Sequence, residues 1–388
     1  VPSGIARCTW TFGFRLWPRF FAGHPPSPGL LPLPPPSRPP SPPSPEVLFS
    51  RGFMLSLCTK ARPETTQKDK VVTKTALGGP PNVIPRSIAA DLVLPAKKIV
   101  DVMLKPSPHW VGDGFHVLPV FHRKAFTRDM SPFLMFDYAP PKKFNPTRGK
   151  LGVGQHPHRG FETVTIAWQG EVEHGDHLGN NDVINAGDVQ WMTAARGIIH
   201  EEYHSREFAK TGGLFEMCQL WVNLPAKHKM DPARYQPIKG SSMPIVDLKD
   251  GVGYIKVIAG GYDGVKGPAQ TFSPIDVWEV QLNSAGKGTS LVFPEGHNTI
   301  IFVRRGKALV GASERNLSPQ DVALLGETGR QVPVRALSDD TMLLVLSGQP
   351  FNEPIASRGP FCMNTAEELR EAQSDYISRS NGFGRVKR

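Results

Sequence analysis

Cysteine is scarce in this chain, with four residues in 388 at Cys8, Cys58, Cys218 and Cys362 and no C-x-x-C spacing among them. No disulfide framework is expected, a reducing compartment fits, and Cys218 and Cys362 read as small buried apolar side chains. No run of eighteen or more apolar residues occurs, so no membrane-spanning helix is expected. Acidic residues nearly vanish from the first 63 positions, where Glu46 alone faces seven Lys/Arg. Histidine is almost missing from the second half: from residue 251 onward there is only His297, and a metal there would find no imidazole partner.

Proline takes twelve of the twenty-one positions from Pro25 to Pro45. Such a stretch cannot bury enough apolar surface to offset its ordering entropy, so residues 1–95 are expected to be a leader and connector in polyproline II or coil. The chain begins with Val1, and Met54 is a candidate initiator. The basic, acid-poor leader would also suit an organellar transit peptide. The net charge of +10 belongs largely to this part, since residues 1–90 carry eleven Lys/Arg against three Asp/Glu. The remainder is nearly balanced at 34 against 32, which argues against direct nucleic-acid binding.

What the chain does have is a histidine-dense stretch. Six of its twelve histidines fall between His156 and His204. In an extended strand residues i and i+2 share a face, so His156 and His158 point together, as do His200, Glu202 and His204. The run 162–168 is β-rich, and turns near Gly170 and Gly187 make the segment between the two pairs antiparallel. Imidazoles and a carboxylate converging from two strands of a small barrel suit Fe, Mn, Ni, Cu or Zn and leave positions open for water or substrate. His174 and His177 read as exposed loop residues. Trp191, Met192, Phe161 and Phe136 are candidates for a pocket wall, though most are expected in the barrel core.

Short β-rich runs fill the rest. In the first half they cover 99–104, 115–121, 133–137 and 219–224, with loops at 140–149 and 227–236. In the second half they recur at 253–259, 275–282, 298–304, 307–311, 321–325 and 341–346, which suggests a second antiparallel barrel. Thr365 and Glu368 form a capping box for a helix that should end near Asn381–Gly382 and pack back through Leu369, Ala372 and Tyr376.

The octet His156–Thr163 (HPHRGFET) resembles the signature of the pirins, a branch of the bicupins. So do 187–194 (GDVQWMTA), 196–200 (RGIIH), 219–224 (QLWVNL) and 359–365 (GPFCMNT), in the same order. The likeness runs from about Lys97 to Lys387. Residues 173–180 look more like bacterial-type pirins than animal ones.

The resemblance implies an all-β fold of two stacked cupin barrels (jelly-roll-like, double-stranded β-helices) with a short C-terminal helix. The metal-binding barrel would span 96–240, a metal-free one 241–350, and the helical segment 351–388. It further implies Fe2+ held by His156, His158, His200 and Glu202, with Glu162 as the runner-up carboxylate, expected rather to be a supporting or structural residue. The implied activity is quercetin 2,3-dioxygenation of a flavonol by O2, with Glu202 doubling as the catalytic base if its coordination loosens. The alternative it implies is a nuclear, iron-redox-dependent cofactor bridging transcription factors. Either role would place a monomer in the nucleus or cytoplasm. A cupin isomerase is disfavoured, because Arg159 and Arg196 alone make no phosphate-binding cluster.

If the leader is not part of the folded body, a chain starting at Met54, or near Lys97, will melt at the temperature of the full chain. A large fall in its midpoint would show that the leader packs on the barrels.

Overall fold

The computed structural model describes residues 94–385. The expectations for residues 1–93, Met54 among them, lie outside the described residues. Seven strands organise the first barrel: β1 (Phe133–Phe144), β2 (Gly152–His158), β3 (Phe161–Gln169), β4 (Val172–Asp176), β5 (Val189–Thr193), β6 (Ile198–His204) and β7 (Gly213–Asn223). Its larger sheet runs Arg234–Ile238, β5, β3, β7, β1, Phe115–Pro119, His109–Val111. The smaller sheet facing it runs β2, β6, β4, Asn181–Ile184. The second barrel repeats this pairing of a seven-stranded with a four-stranded sheet. The fold is the all-β bicupin expected.

The two barrels stack through the outer faces of their larger sheets. Phe136, Tyr138, Val164, Ile166 and Trp191 from the first share one apolar core with Ile300, Phe302 and Leu344 from the second. The Phe302 ring lies 5.0 Å from both Phe136 and Tyr138. Burial of these rings on one face fixes the alternation, so the residues between them face the barrel interior. At the edge of this seam Arg304 Nη1 meets Glu216 Oε1 at 2.8 Å, and the Tyr138 hydroxyl donates to the same oxygen at 2.7 Å.

Three expectations need correction. The strand Ile99–Met103 was assigned to the first barrel, but it pairs antiparallel with Val322–Leu325 in the second. Met103 joins the inter-barrel core, and the buried Lys97 Nζ donates to the carbonyls of His297 at 2.7 Å and Gly326 at 3.0 Å. Residues 96–103 therefore belong with 241–350. Secondly, β1 continues through Pro140 and Pro141 to Phe144, because those prolines fall at a register shift opposite Glu216, where no ladder N–H is required. Thirdly, the expected loop 227–236 contains the start of strand Arg234–Ile238, which pairs with β5.

The C-terminal segment returns to the first barrel. Its helix Ala366–Ser378 has the expected capping box on Thr365 and Glu368. It ends before Asn381, with Arg379 in the left-handed conformation. Ala372, Phe361 and Phe383 pack against Ile199 of β6, with Leu369 and Tyr376 beside them. Gly160 allows the close crossing: its φ is +88°, and a Cβ there would lie 1.9 Å from the Cys362 carbonyl oxygen. The buried Arg159 bonds Asp375 Oδ2 at 2.8 Å and the carbonyls of Arg196 and Asn381 at 2.6 Å. Asp375→Ala should cost roughly 3 kcal/mol by leaving this guanidinium without its counter-charge. Denaturant unfolding of the two proteins measures it, and an unchanged midpoint would show that the carbonyls suffice.

Candidate metal centre

The site is set by the pairing of β2 with β6. Their register puts His200 directly opposite His156, and Ile198 opposite His158. His156, His158 and His200 thus occupy one face as direct and diagonal neighbours. Ring centroids are 4.2 Å apart for His156 and His200, and 4.9 Å for each of the other two pairs. One ring nitrogen from each lies within 4.8 Å of the others. The register slips between His200 and Glu202, so β2 bulges at Gly154–Gln155. That bulge turns the Gly154 carbonyl onto His156 Nδ1 at 2.8 Å. A carbonyl only accepts, so Nδ1 carries the proton and Nε2 is left with a free lone pair.

His200 is oriented from behind. Gln190 Nε2 donates to His174 Nδ1 at 2.8 Å, and His174 Nε2 lies 3.2 Å from Asp176 Oδ2. His174 therefore keeps its proton on Nε2 and accepts at Nδ1, which sits 3.4 Å from His200 Nδ1. That arrangement leaves His200 Nε2 free. Nε2 of His200 is buried without a hydrogen-bond partner among the described residues, and the buried His158 ring has the Pro360 carbonyl on one nitrogen and no partner on the other. Burial, reinforced by the neighbouring imidazoles, holds His158 and His200 well below the ordinary histidine pKa. Burial lowers His156 too, while Glu202 pulls it partly back. Neutral imidazoles with bare, desolvated lone pairs are what a divalent metal requires, so this donor set fits one.

Glu202 stands beside the three histidines, its Oε2 4.0 Å from His200 Nε2. Gln219 Nε2 donates to Oε2 at 3.2 Å, while Gln219 Oε1 accepts from Thr165 Oγ1 at 2.6 Å. These contacts belong to a polar row across the inner face of the larger sheet. Asp137, Gln219, Thr165 and Gln190 lie directly opposite one another on β1, β7, β3 and β5. The next row is Met135, Trp221, Thr163 and Met192. Trp221 stacks on Phe161 at 4.3 Å and stands 5.1 Å from the His158 ring. Met135, Gln219, Trp221 and His156 retain partial exposure, so the interior opens to solvent on this side.

Several sequence expectations are corrected by this geometry. Glu162 shares a strand face with Val164 and Ile166 of the inter-barrel core, and its Oε1 accepts from Thr193 Oγ1 at 2.7 Å. It points away from the histidines, and burial pushes its carboxyl up to about 7. His174, expected in an exposed loop, is buried on β4 behind His200, and His177 is half-buried with Nδ1 accepting from the Ile199 N–H at 3.0 Å. His204 shares the face of His200 but lies deeper along β6, stacked on Phe215 at 4.5 Å. Of the pocket-wall candidates, Trp191 and Phe136 are core residues, as expected of most of them, Met192 packs with Ala194 and Ile198, and Phe161 stays beside the site. Asp137, Gln190, Gln219 and Trp221 were missed as site residues. The alternation in Gln219-Leu220-Trp221 was the signal available for two of them.

The pirin family model matches residues 114–222, and the pirin C-terminal cupin domain matches 277–383. The chain belongs to the pirin family. A Pseudomonas aeruginosa pirin relative, provisionally named a quercetin 2,3-dioxygenase, is 49% identical over 280 residues, covering 72% of this chain and 96% of its own. Human pirin is 36% identical over 264 residues, 67% of this chain and 86% of its own. The crystal structure of a quercetin 2,3-dioxygenase from Acinetobacter baumannii superposes with a TM-score of 0.71 at 47% identity, covering 75% of this chain and 99% of that one. Among the described residues no helix is long and apolar enough to cross a membrane.

His156→Ala and His200→Ala should each abolish stoichiometric binding of a divalent metal while leaving the far-ultraviolet dichroism unchanged. Metal analysis after desalting reads this directly, and full retention in both variants would remove the histidines from the site.

Proposed function

We propose that this pirin is an iron-dependent dioxygenase that opens a flavonol such as quercetin. In this reading Fe2+ is held by His156, His158, His200 and Glu202. The observation that carries it is the trio of convergent imidazoles, His158 and His200 buried and His156 half-buried, each with a ring nitrogen left free, facing an interior open to solvent. The naming of the Pseudomonas and Acinetobacter relatives supports the substrate class.

Iron bound there would supply a Lewis acid that lowers the pKa of a substrate hydroxyl, and a redox partner for O2. The chain's own residues supply position. The Gly154 carbonyl and His174 hold two imidazoles in the required tautomer, and Gln219 holds Glu202. The indole of Trp221 and the thioether of Met135 give a flat aromatic substrate an apolar surface on the opposite wall. Among the described residues Thr163 Oγ1, Gln190 Oε1 and Trp221 Nε1 are buried without partners, and they can meet the hydroxyl and carbonyl groups of an oxygen-rich ring system.

Oxygen uptake by anaerobically iron-loaded protein on adding quercetin, with carbon monoxide monitored, tests the reading. Uptake with carbon monoxide release at one iron per chain is the expected result. Iron at that stoichiometry with no turnover would replace it with an iron-dependent binding protein acting on protein partners.

A further inference from the structure

We propose that Asp137, and not the metal-side Glu202, is the catalytic base that takes the substrate's hydroxyl proton. The proposal rests on the dioxygenase reading above and names the group that starts its chemistry.

The position of Asp137 is fixed by its neighbours on β1. Phe136 and Tyr138 both pack on Phe302 of the second barrel, so the residue between them faces the first barrel's interior. It lies directly opposite Gln219 on one side and Pro119 on the other. Gln219 in turn donates to Glu202, so the residue paired with Asp137 in the sheet also contacts the second carboxyl group. Asp137 is 8% exposed and lies next to Met135 and Gln219 at the side where the interior opens. Asp137 thus stands on the wall that faces the histidines, in the row of Gln219, Thr165 and Gln190.

The two carboxyl groups are equipped differently. Glu202 is tied by the Gln219 amide and stands 4.0 Å from His200, which suits a fixed ligand. Among the described residues no charge and no hydrogen bond steadies the Asp137 anion, and burial pushes its carboxyl up to about 7. A carboxyl with that affinity exchanges a proton readily at neutral pH, where an ordinary aspartate would be a weak base. The flanking groups Gln219 and Pro119 do not titrate. The titratable groups across the interior are Glu202 and the histidines His156, His158 and His200, with His174 and Asp176 behind them.

The step is a proton transfer. The O–H bond of the flavonol's enolic hydroxyl breaks, its electron pair stays on that oxygen, and the proton forms an O–H bond on Asp137. The flavonolate is the species that reacts with O2. The ring-opened product leaves as a carboxylate, and the proton passes from Asp137 to solvent.

The test uses the full iron-loaded chain with Asp137→Asn, which keeps shape and removes the base, and Asp137→Glu, which restores it. Quercetin is titrated anaerobically across the neutral pH range, and its absorption reports neutral flavonol or flavonolate before any oxygen chemistry. Steady-state oxygen uptake follows on the same samples. The native protein should form flavonolate with a midpoint near pH 7. Asp137→Asn should lose that titration and about 10²–10³-fold in kcat, with iron content unchanged, and Asp137→Glu should recover part of both.

Turnover with an Asp137→Asn variant that keeps its rate and pH profile would overturn the assignment while leaving the dioxygenase reading intact. Flavonolate formation that depends on Asp137 without any oxygen uptake would sustain the assignment and overturn the dioxygenase reading. No flavonolate in the native protein would overturn the assignment outright.

Discussion

The structure of the site depends on one pairing register. Setting His200 opposite His156 places three imidazoles on one face, and a slip of a single residue would send them to opposite faces of the sheet. The bulge at Gly154 serves the same constraint twice. It takes up the extra residue before Glu202, and it turns a carbonyl toward His156 Nδ1. The C-terminal segment braces this pairing from outside, since Phe361 and Phe383 pack on Ile199 and Arg159 holds the helix beside the loop that follows His158.

Strand alternation then divides the larger sheet between two tasks. Its outer residues, Phe136, Tyr138, Val164, Ile166 and Trp191, seal the first barrel to the second. The inner residues between them, Asp137, Thr165 and Gln190, with Gln219 and Trp221 of β7, form the wall opposite the histidines. This explains why Glu162 cannot serve as a ligand although it follows the paired histidines so closely. It is an outer residue, three positions before Thr165 on the same strand and therefore on the other face. The second barrel contributes no donor to the triad, yet it fixes which way every residue of β1 and β3 points.

Much of this was readable in the sequence. The i,i+2 spacing of His156 and His158 and of His200 and Glu202 identified the strand faces, and the short β-rich runs identified two barrels. The capping box at Thr365 identified the C-terminal helix. What stayed hidden was long-range pairing. Nothing local to Ile99–Met103 distinguishes a strand of the first barrel from one of the second, because the choice lies in its partner 220 or so residues away. His174 looked like a loop residue because glycine, aspartate and asparagine surround it. Its burial comes from Gln190 and His200, which only the folded sheet brings near. Asp137 was masked by the apolar run around it, and its orientation depends on the second barrel's Phe302.

A barrel selected for stability alone would not be lined this way. Thr163 Oγ1, Gln190 Oε1 and Trp221 Nε1 are buried without partners among the described residues, and each such group costs about 1–3 kcal/mol. Asp137 adds a carboxyl held away from water without a counter-charge. Apolar residues would fill the same positions more cheaply, as Ala139, Ala167 and Met217 do one row further along the same strands. These four groups lie in the two rows level with the histidines, and apolar filling resumes in the row of Ala139, Met217 and Ala167. Their placement ties the destabilising residues to the space in front of the three histidines. The wall they form has the histidines on one side and the second barrel's support on the other.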